Sequence, residues 1–155
     1  MITASNPTQI DPRGPRFGAG ITSGVLVVAM FLGLLDAPST TLGPAWWLMV
    51  IIGLLFVWGT LAGPTRHPYG VLFRRWVQPR LSPPSAKEDQ APVRFAQLVG
   101  LIVSLVGIIA HLAGLPYALI SAAAVAFVAA FLNAAFGLCL GCELYSVLLR
   151  LRRTR

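Results

Sequence analysis

The stretch FAQLVGLIVSLVGIIAHLA, residues Phe95 to Ala113, contains no Asp, Glu, Lys or Arg from one end to the other. An α-helix rises ~1.5 Å per residue, so this segment is long enough to cross the ~30 Å hydrocarbon core of a bilayer. It therefore predicts a transmembrane helix, and the rest of the chain can be interpreted around it.

The composition of the whole chain has the same character. Its 155 residues are 56% hydrophobic and only 11% charged, and the mean hydropathy is +0.75, which is too apolar for a soluble domain of this size. The sequence predicts a single all-α integral membrane domain, a four-helix bundle in contact with the lipid bilayer, with spans at about 17–35, 45–62, 95–113 and 117–140.

The basic residues predict the orientation, because Lys and Arg near span ends are retained in the cytoplasm. All 12 Lys and Arg precede the first span, lie in the 63–94 loop or follow the last span. We therefore expect a protein of the inner membrane with both termini and this loop cytoplasmic. The net charge of +7 then reflects topology and attraction to anionic lipid rather than binding of nucleic acid.

A short internal repeat divides the chain into halves. The pattern D-x4-R-F occurs at Asp11 to Phe17 and again, 78 residues later, at Asp89 to Phe95. Each copy opens a hairpin of two spans from the same side, which would make a parallel repeat with its axis along the membrane normal. The match is short, so the sequence leaves open whether the two hairpins are repeats or only share the signals of helices entering from one side.

The 63–94 loop begins with an amphipathic segment. Apolar side chains at Leu72, Phe73 and Trp76 alternate with Arg74 and Arg75, a spacing that suits a short helix in the headgroup plane. The following residues, 80–92, are Pro-rich and polar and predict a flexible connector.

Small residues follow one face of the fourth span. They allow close approach of a neighbouring helix where lipid offers no hydrophobic driving force. The ridge comprises Ala126, Ala130, Ala134, Gly137 and Gly141.

The candidate chemistry lies in FGLCLGCELY, residues 136–145. Cys139 and Cys142 are the chain's two cysteines, at the C-x-x-C spacing that closes a small disulfide or supplies two metal ligands. They lie ~30 Å along the helix from Tyr117, near the cytoplasmic boundary. A helix that stops here would disfavour a thiolate at its C-terminus; a helix that continues through SVLLRLRR would remove that penalty.

The neighbours of the cysteines suggest a site. On a continuous helix Glu143 would share their face and could accept the proton of Cys139, although a nearby carboxylate also raises a thiol pKa. A cation must therefore come from another segment. The candidate catalytic residues are Cys139, Cys142, Glu143 and His67, with Arg16, Arg66 and Arg94 as further cations from cytoplasmic span ends.

Simpler interpretations stay open for each of these residues. The two cysteines could be packing residues, because free cysteine behaves as a small apolar side chain. A zinc or iron site would use Cys139 and Cys142 with His67 or Glu143. Asn133 is most simply a hydrogen-bonding partner across helices. We expect no resident cofactor and no bound metal.

The sequence also resembles a known family. The stretches DPRGPRFGA, HPYGVLFRRWVQPRL, APVRFAQLVG and FLNAAFGLCLGCELY together resemble an uncharacterised bacterial membrane family, domain of unknown function family 4395. The resemblance covers nearly the whole chain and implies a four-helix membrane fold but no established activity. Members are commonly encoded beside thioredoxin-like and rhodanese-type proteins, which implies a role in thiol redox chemistry or sulfur metabolism.

Three functions follow as hypotheses. The first is thiol-disulfide or persulfide exchange through Cys139 and Cys142 with a cytoplasmic thioredoxin-like or rhodanese-type partner. In that hypothesis Cys142, nearer water, attacks and Cys139 resolves. The second is a non-enzymatic membrane anchor that docks such a partner through Arg74 and Arg75. The third is a small transporter of a sulfur-containing solute, which would need a homo-oligomer.

Overall fold

The computed structural model of the chain describes residues 9–36 and 42–153. Four of its helices are long and apolar enough to cross a membrane, which confirms the all-α four-helix fold of a multi-pass membrane protein. The predicted loop between the first two spans lies partly outside the described residues, at 37–41, as does Arg155. In chain order the elements are β1 (Gln9–Ile10), α1 (Arg13–Leu35), α2 (Pro44–Ala62), α3 (Pro68–Leu72), β2 (Glu88–Asp89), α4 (Gln90–Leu112), α5 (Ala118–Phe136) and α6 (Leu140–Arg153).

The four long helices form a ring in which α1 and α4 lie on one diagonal. Helix α1 packs against α2 and α5, and α4 packs against the same two helices. The short strands β1 and β2 pair antiparallel, with Gln9 opposite Asp89, at the end where α1 and α4 begin. We call this end the basic face, because the described Lys and Arg residues lie in the segments that meet there or on α6, which starts there.

Two arginines connect the helix ends at the basic face in a reciprocal way. Arg16, in the first turns of α1, donates from Nη2 to the carbonyl oxygens of Ala134 and Ala135 at the end of α5, each at 3.5 Å. Arg94, at the equivalent place in α4, donates to the carbonyl oxygens of Thr60 and Leu61 at the end of α2, at 3.0 and 2.8 Å. The last carbonyls of a helix have no partner within it, so each arginine satisfies the exposed helix end of the opposite half.

Ring contacts repeat with the same symmetry. Phe17 of α1 packs on Phe73, which continues α3 as a π-helical turn, with ring centroids 5.8 Å apart. Phe95 of α4 packs on Tyr145 of α6 with centroids 5.6 Å apart. The ring contact thus links the first helix of each half to its third helical segment, α1 to the residues after α3 and α4 to α6.

The amphipathic segment of the 63–94 loop forms α3, then a π-helical stretch (Phe73–Val77) and a 3₁₀ turn (Gln78–Arg80). Leu72 and Trp76 are exposed, as a helix in the headgroup plane requires, but Phe73 is buried against α1. Its apolar residues therefore serve two surfaces, one of lipid and one of protein.

The two ends of the bundle differ in packing. The core cluster includes Ala45 and Met49 from the first turns of α2 and Ala122 and Ala126 from the first half of α5, so it lies toward the end away from the basic face. Part of the predicted small-residue ridge is placed differently: Gly137 and Gly141 lie beyond the end of α5. Toward the basic face the helices instead enclose a cavity.

Gly107 tests the close packing of the core. A Cβ added there would overlap the Cβ of Ala122 across the α4–α5 contact, whereas one added to Gly24 would meet nothing within 4 Å. We expect Gly107→Ala to lower the free energy of unfolding by roughly 1–3 kcal/mol. Gly24→Ala should be neutral or slightly stabilising, because alanine is the better helix former by about 1 kcal/mol. Unfolding in mixed micelles with increasing denaturing detergent measures both; equal effects would contradict this packing.

Candidate functional site

The cysteines lie where one helix ends and another begins. Helix α5 ends at Phe136, because Gly137 adopts a left-handed conformation with φ of 70°, which glycine accepts without steric cost. The N–H groups of Gly137 and Leu138 donate back to carbonyls of the last turn of α5. The fourth span therefore does not continue through the cysteines, and the continuous-helix alternative is wrong.

Cys139 precedes the first residue of α6, and Cys142 lies in its first turn. The two are joined by a disulfide, with their Cα atoms 5.2 Å apart. The backbone N–H of Cys142 donates to the Cys139 sulfur at 3.3 Å. The positive end of a helix dipole and a donated N–H both favour a thiolate, so the electrostatic penalty expected at a helix C-terminus is replaced by stabilisation at a helix N-terminus.

Arg16 is the candidate cation that lies beside the turn after α5. Its guanidinium carbon lies 3.4 Å from the position that a Cβ on Gly137 would occupy, beside the turn that carries Cys139. Arg16 makes no ion pair with any residue that the structure describes, and its Nη2 donates to the carbonyl oxygens of Ala134 and Ala135 just before this turn. Arg94 is engaged at the end of α2 instead.

His67 has a structural role that the sequence did not predict. It is 5% exposed, its Nδ1 accepts the N–H of Tyr69 at 3.2 Å, and its Nε2 lies 3.1 Å from the carbonyl oxygen of Leu55. These contacts require a neutral ring with the proton on Nε2, and burial lowers its pKa. Both ring nitrogens are occupied, so His67 caps α3 and holds it to α2, and neither nitrogen is left for a proton transfer.

Glu143 is exposed in the first turn of α6, where a carboxylate is favoured by the helix dipole. Its N–H donates to the carbonyl oxygen of Cys139 at 3.0 Å, and its carboxylate makes no hydrogen bond to either cysteine. Glu143 therefore adds negative charge near the disulfide without holding a proton-transfer geometry in the oxidised protein.

A cavity of about 1330 Å³ joins these residues. It reaches from β1 and β2 at the basic face to Ile52 and Val103 in the middle of the bundle. Cys139, Cys142, Glu143 and His67 all line it, so the structure brings the four predicted site residues to one chamber. Both cysteines are half-buried, which leaves the disulfide reachable from this space.

The metal alternative lacks ligands. Among residues 9–36 and 42–153, no group of three or more His, Cys, Asp or Glu side chains is arranged to hold an ion. The cysteines are moreover bonded to each other in this state and offer no thiolate.

Comparison with known proteins gives a family. The chain matches the family described as Domain of unknown function (DUF4395) over residues 10–150, and it belongs to that family. No curated protein and no solved structure shows a significant match.

Two features of the site were missed from the sequence. The helix break at Gly137 had a signal, because glycine after an apolar helical run is a common helix terminator. The role of Gln97 as a cavity residue had no comparable signal, since a single glutamine in a span does not reveal which neighbours face it.

Arg16 should tune the reactivity of the reduced pair. We expect Arg16→Gln to raise the pKa of the more reactive thiol by roughly 0.5–1 pH unit, because a nearby positive charge is lost. The rate of iodoacetamide alkylation of reduced protein as a function of pH measures it. Arg94→Gln is the matched control, since it removes the equivalent helix cap from the other half, and Arg16→Lys restores the charge. An equal change in Arg94→Gln would show that the caps act only through stability.

His67 should make stability depend on pH. Burial lowers the pKa of the folded histidine below its ordinary 6.5, so the unfolded chain takes up its proton first as pH falls. The stabilisation is complete above about 6.5 and is lost below it, at up to about 1.4 kcal/mol per pH unit. Unfolding in detergent between pH 7.5 and 5 should show this decline, and His67→Gln should flatten it. A decline that persists unchanged in the variant would contradict the assignment.

Proposed function

We propose that this protein is a thiol-disulfide exchange component of the bacterial inner membrane. Its Cys139–Cys142 pair cycles between disulfide and dithiol with a thioredoxin-like or rhodanese-type protein in the cytoplasm. The observation that carries the proposal is the disulfide at the start of α6, half-buried in the wall of an open cavity at the basic face. Thiol exchange needs a stabilised thiolate and access for the partner; the helix N-terminus supports the first requirement and the open cavity supports the second.

The charge distribution supports a cytoplasmic position for the pair. The basic face collects the Lys and Arg residues, and such residues are retained on the cytoplasmic side. With both termini in the cytoplasm, the cysteines face the compartment in which reduced thioredoxin-like proteins are kept.

The local geometry favours Cys139 as the attacking thiol. Its sulfur accepts the N–H of Cys142, while no hydrogen bond to the Cys142 sulfur occurs in the described part of the chain. Because the two cysteines are equally half-buried, nearness to water does not separate them. The choice of Cys139 as the attacking thiol therefore rests on this hydrogen bond and on the adjacent Arg16, and not on exposure to water.

The exchange step balances without a further reactant. The partner's thiolate attacks the Cys139 sulfur, the S–S bond breaks, and Cys142 leaves as a thiolate. The second thiol of the partner then attacks its own sulfur in the mixed disulfide and releases Cys139. The partner loses two electrons and two protons, and the pair gains both. With a rhodanese-type partner, the reduced Cys139 would instead take the outer sulfur of a persulfide, with no net change in oxidation state.

The second candidate function is a membrane anchor for the same class of partner. The observation that favours it is the exposed segment after α3, where Trp76 lies beside Arg74 and Arg75 at the basic face. A cationic surface of this kind can attract a soluble protein without any thiol chemistry.

Mixed-disulfide trapping distinguishes the two functions. The probe is a thioredoxin that lacks its resolving cysteine and carries its remaining cysteine as a mixed disulfide with 5-thio-2-nitrobenzoate, which leaves when a thiol attacks. With this probe Cys142→Ser should form a mixed disulfide through Cys139, whereas Cys139→Ser should trap at least tenfold less in the same time, because its remaining thiol lacks the stabilising N–H. Maleimide gel shifts in inverted membrane vesicles measure both products. Arg74→Gln with Arg75→Gln should leave trapping of the purified protein unchanged.

Two other outcomes would contradict the exchange function. Cysteines that react neither with the probe nor with maleimide after reduction would exclude exchange. Loss of partner recruitment in the arginine variant, with full function in both serine variants, would establish the anchor.

A further inference from the structure

The cavity has a second polar feature besides the cysteines. Gln97 of α4 and Asn133 of α5 both line it, both are half-buried, and neither side-chain amide makes a hydrogen bond to any residue that the structure describes. A polar group inside a membrane bundle normally finds a partner, because leaving it unpaired costs free energy. These two amides are half-buried and open to one chamber, so their donor and acceptor atoms are available to a ligand there.

The two amides lie at a similar depth. Asn133 is three residues before the end of α5, and Gln97 packs against Gly59, which is three residues before the end of α2. Helices α2 and α5 are equivalent in the two halves, so each amide lies about one helical turn inside the basic face. The cysteines lie just beyond the end of α5, at the same end of the chamber.

The inner part of the wall is apolar, whereas the part near the basic face carries charged side chains such as Arg74, Lys87 and Glu88. Leu55, Phe56, Val99 and Val103, together with alanines of α5, line the inner part of the cavity. Its volume, about 1330 Å³, exceeds what a single aromatic ring fills and leaves room for an attached hydrocarbon chain. The chamber thus suits a flat, apolar molecule that carries oxygen atoms for the amides.

Resting on the proposed exchange function, we infer that the cavity binds a quinone that accepts the electrons of the reduced Cys139–Cys142 pair. An amide has both a donor N–H and an acceptor oxygen, so Gln97 and Asn133 can bind the carbonyl of a quinone and the hydroxyl of the quinol. A thiol pair that served only a soluble partner would not need an apolar chamber beside it. A lipid-soluble electron acceptor does.

The electron balance is complete with this acceptor. The Cys139 thiolate adds to a ring carbon of the quinone, and the Cys142 thiolate then attacks the Cys139 sulfur. The C–S bond breaks, its electron pair stays on the ring, and the disulfide forms. The two protons of the thiols end on the two quinol oxygens. One dithiol is oxidised for each quinone reduced, and the disulfide is ready to oxidise the next partner.

Quinol formation by the purified full chain tests the inference. Protein in detergent is reduced, freed of reductant and mixed with decyl-substituted benzoquinone. Quinol is measured by absorbance and the disulfide by maleimide gel shift. We expect one quinol per disulfide. Gln97→Leu with Asn133→Leu should slow the reaction at least tenfold at low quinone concentration, yet leave oxidation by a small soluble disulfide unchanged. Gln90→Leu, the same change in the same helix but outside the cavity wall, is the matched control.

Binding is measured separately from electron transfer. The Cys139→Ser, Cys142→Ser double variant should still bind the quinone in equilibrium dialysis but form no quinol, and this variant keeps the test valid if the amide variant does not fold. Equal rates for wild type and a folded amide variant would overturn the cavity as the site. A wild type that exchanges with thioredoxin but is not oxidised by the quinone would overturn the inference and leave the exchange function standing. A pair that reacts with neither would overturn both.

Discussion

The ends of α2 and α5 impose the constraint on which the site depends. The last carbonyl groups of a helix have no partners within it and must be met by other groups, such as side chains or water. In this protein each end is met by an arginine from the first turns of the opposite half, Arg94 on α2 and Arg16 on α5. These contacts hold the two sequence halves together at the basic face. Each of the two long helices, α2 and α5, therefore ends beside a positively charged side chain.

The residue that precedes the third helix of each half has a different role in the two halves. In the first half the residue that precedes the third helix is His67, and in the second half it is Cys139. Both accept a backbone N–H from the first turn that follows, His67 through Nδ1 and Cys139 through its sulfur. The imidazole is buried and fully bonded, whereas the sulfur is half-buried at the cavity. The same capping contact therefore holds α3 in place in the first half and polarises the Cys139 sulfur in the second half.

Much of the fold could be predicted from the sequence, because its signals are large. Uncharged runs of apolar residues require helices in a bilayer, and D-x4-R-F marked the two arginines that the structure places in equivalent roles. The repeat alone could not predict what the arginines bind, because the partners of Arg16, Ala134 and Ala135, lie more than a hundred residues away in the sequence.

The candidate site was harder to predict for a related reason. The four predicted residues do meet at one cavity, but their environment depends on a single backbone angle at Gly137. Extending the helix through that glycine places the cysteines at a C-terminal or interior position, and ending it there places them at an N-terminus, with the opposite electrostatic consequence. His67 shows the same limit: its sequence position gave its side of the membrane but not that Leu55 and Tyr69 occupy both nitrogens.

The distribution of packing in the bundle also bears on the chemistry. Small side chains at Ala45, Ala122 and Ala126 belong to the core cluster, which lies in the part of the bundle away from the basic face. The cavity lies at the other end, where α1 and α4 begin and are joined by the short β1–β2 pair. One bundle therefore supplies both a packed core that holds the helices together and, at the other end, a space beside the cysteines.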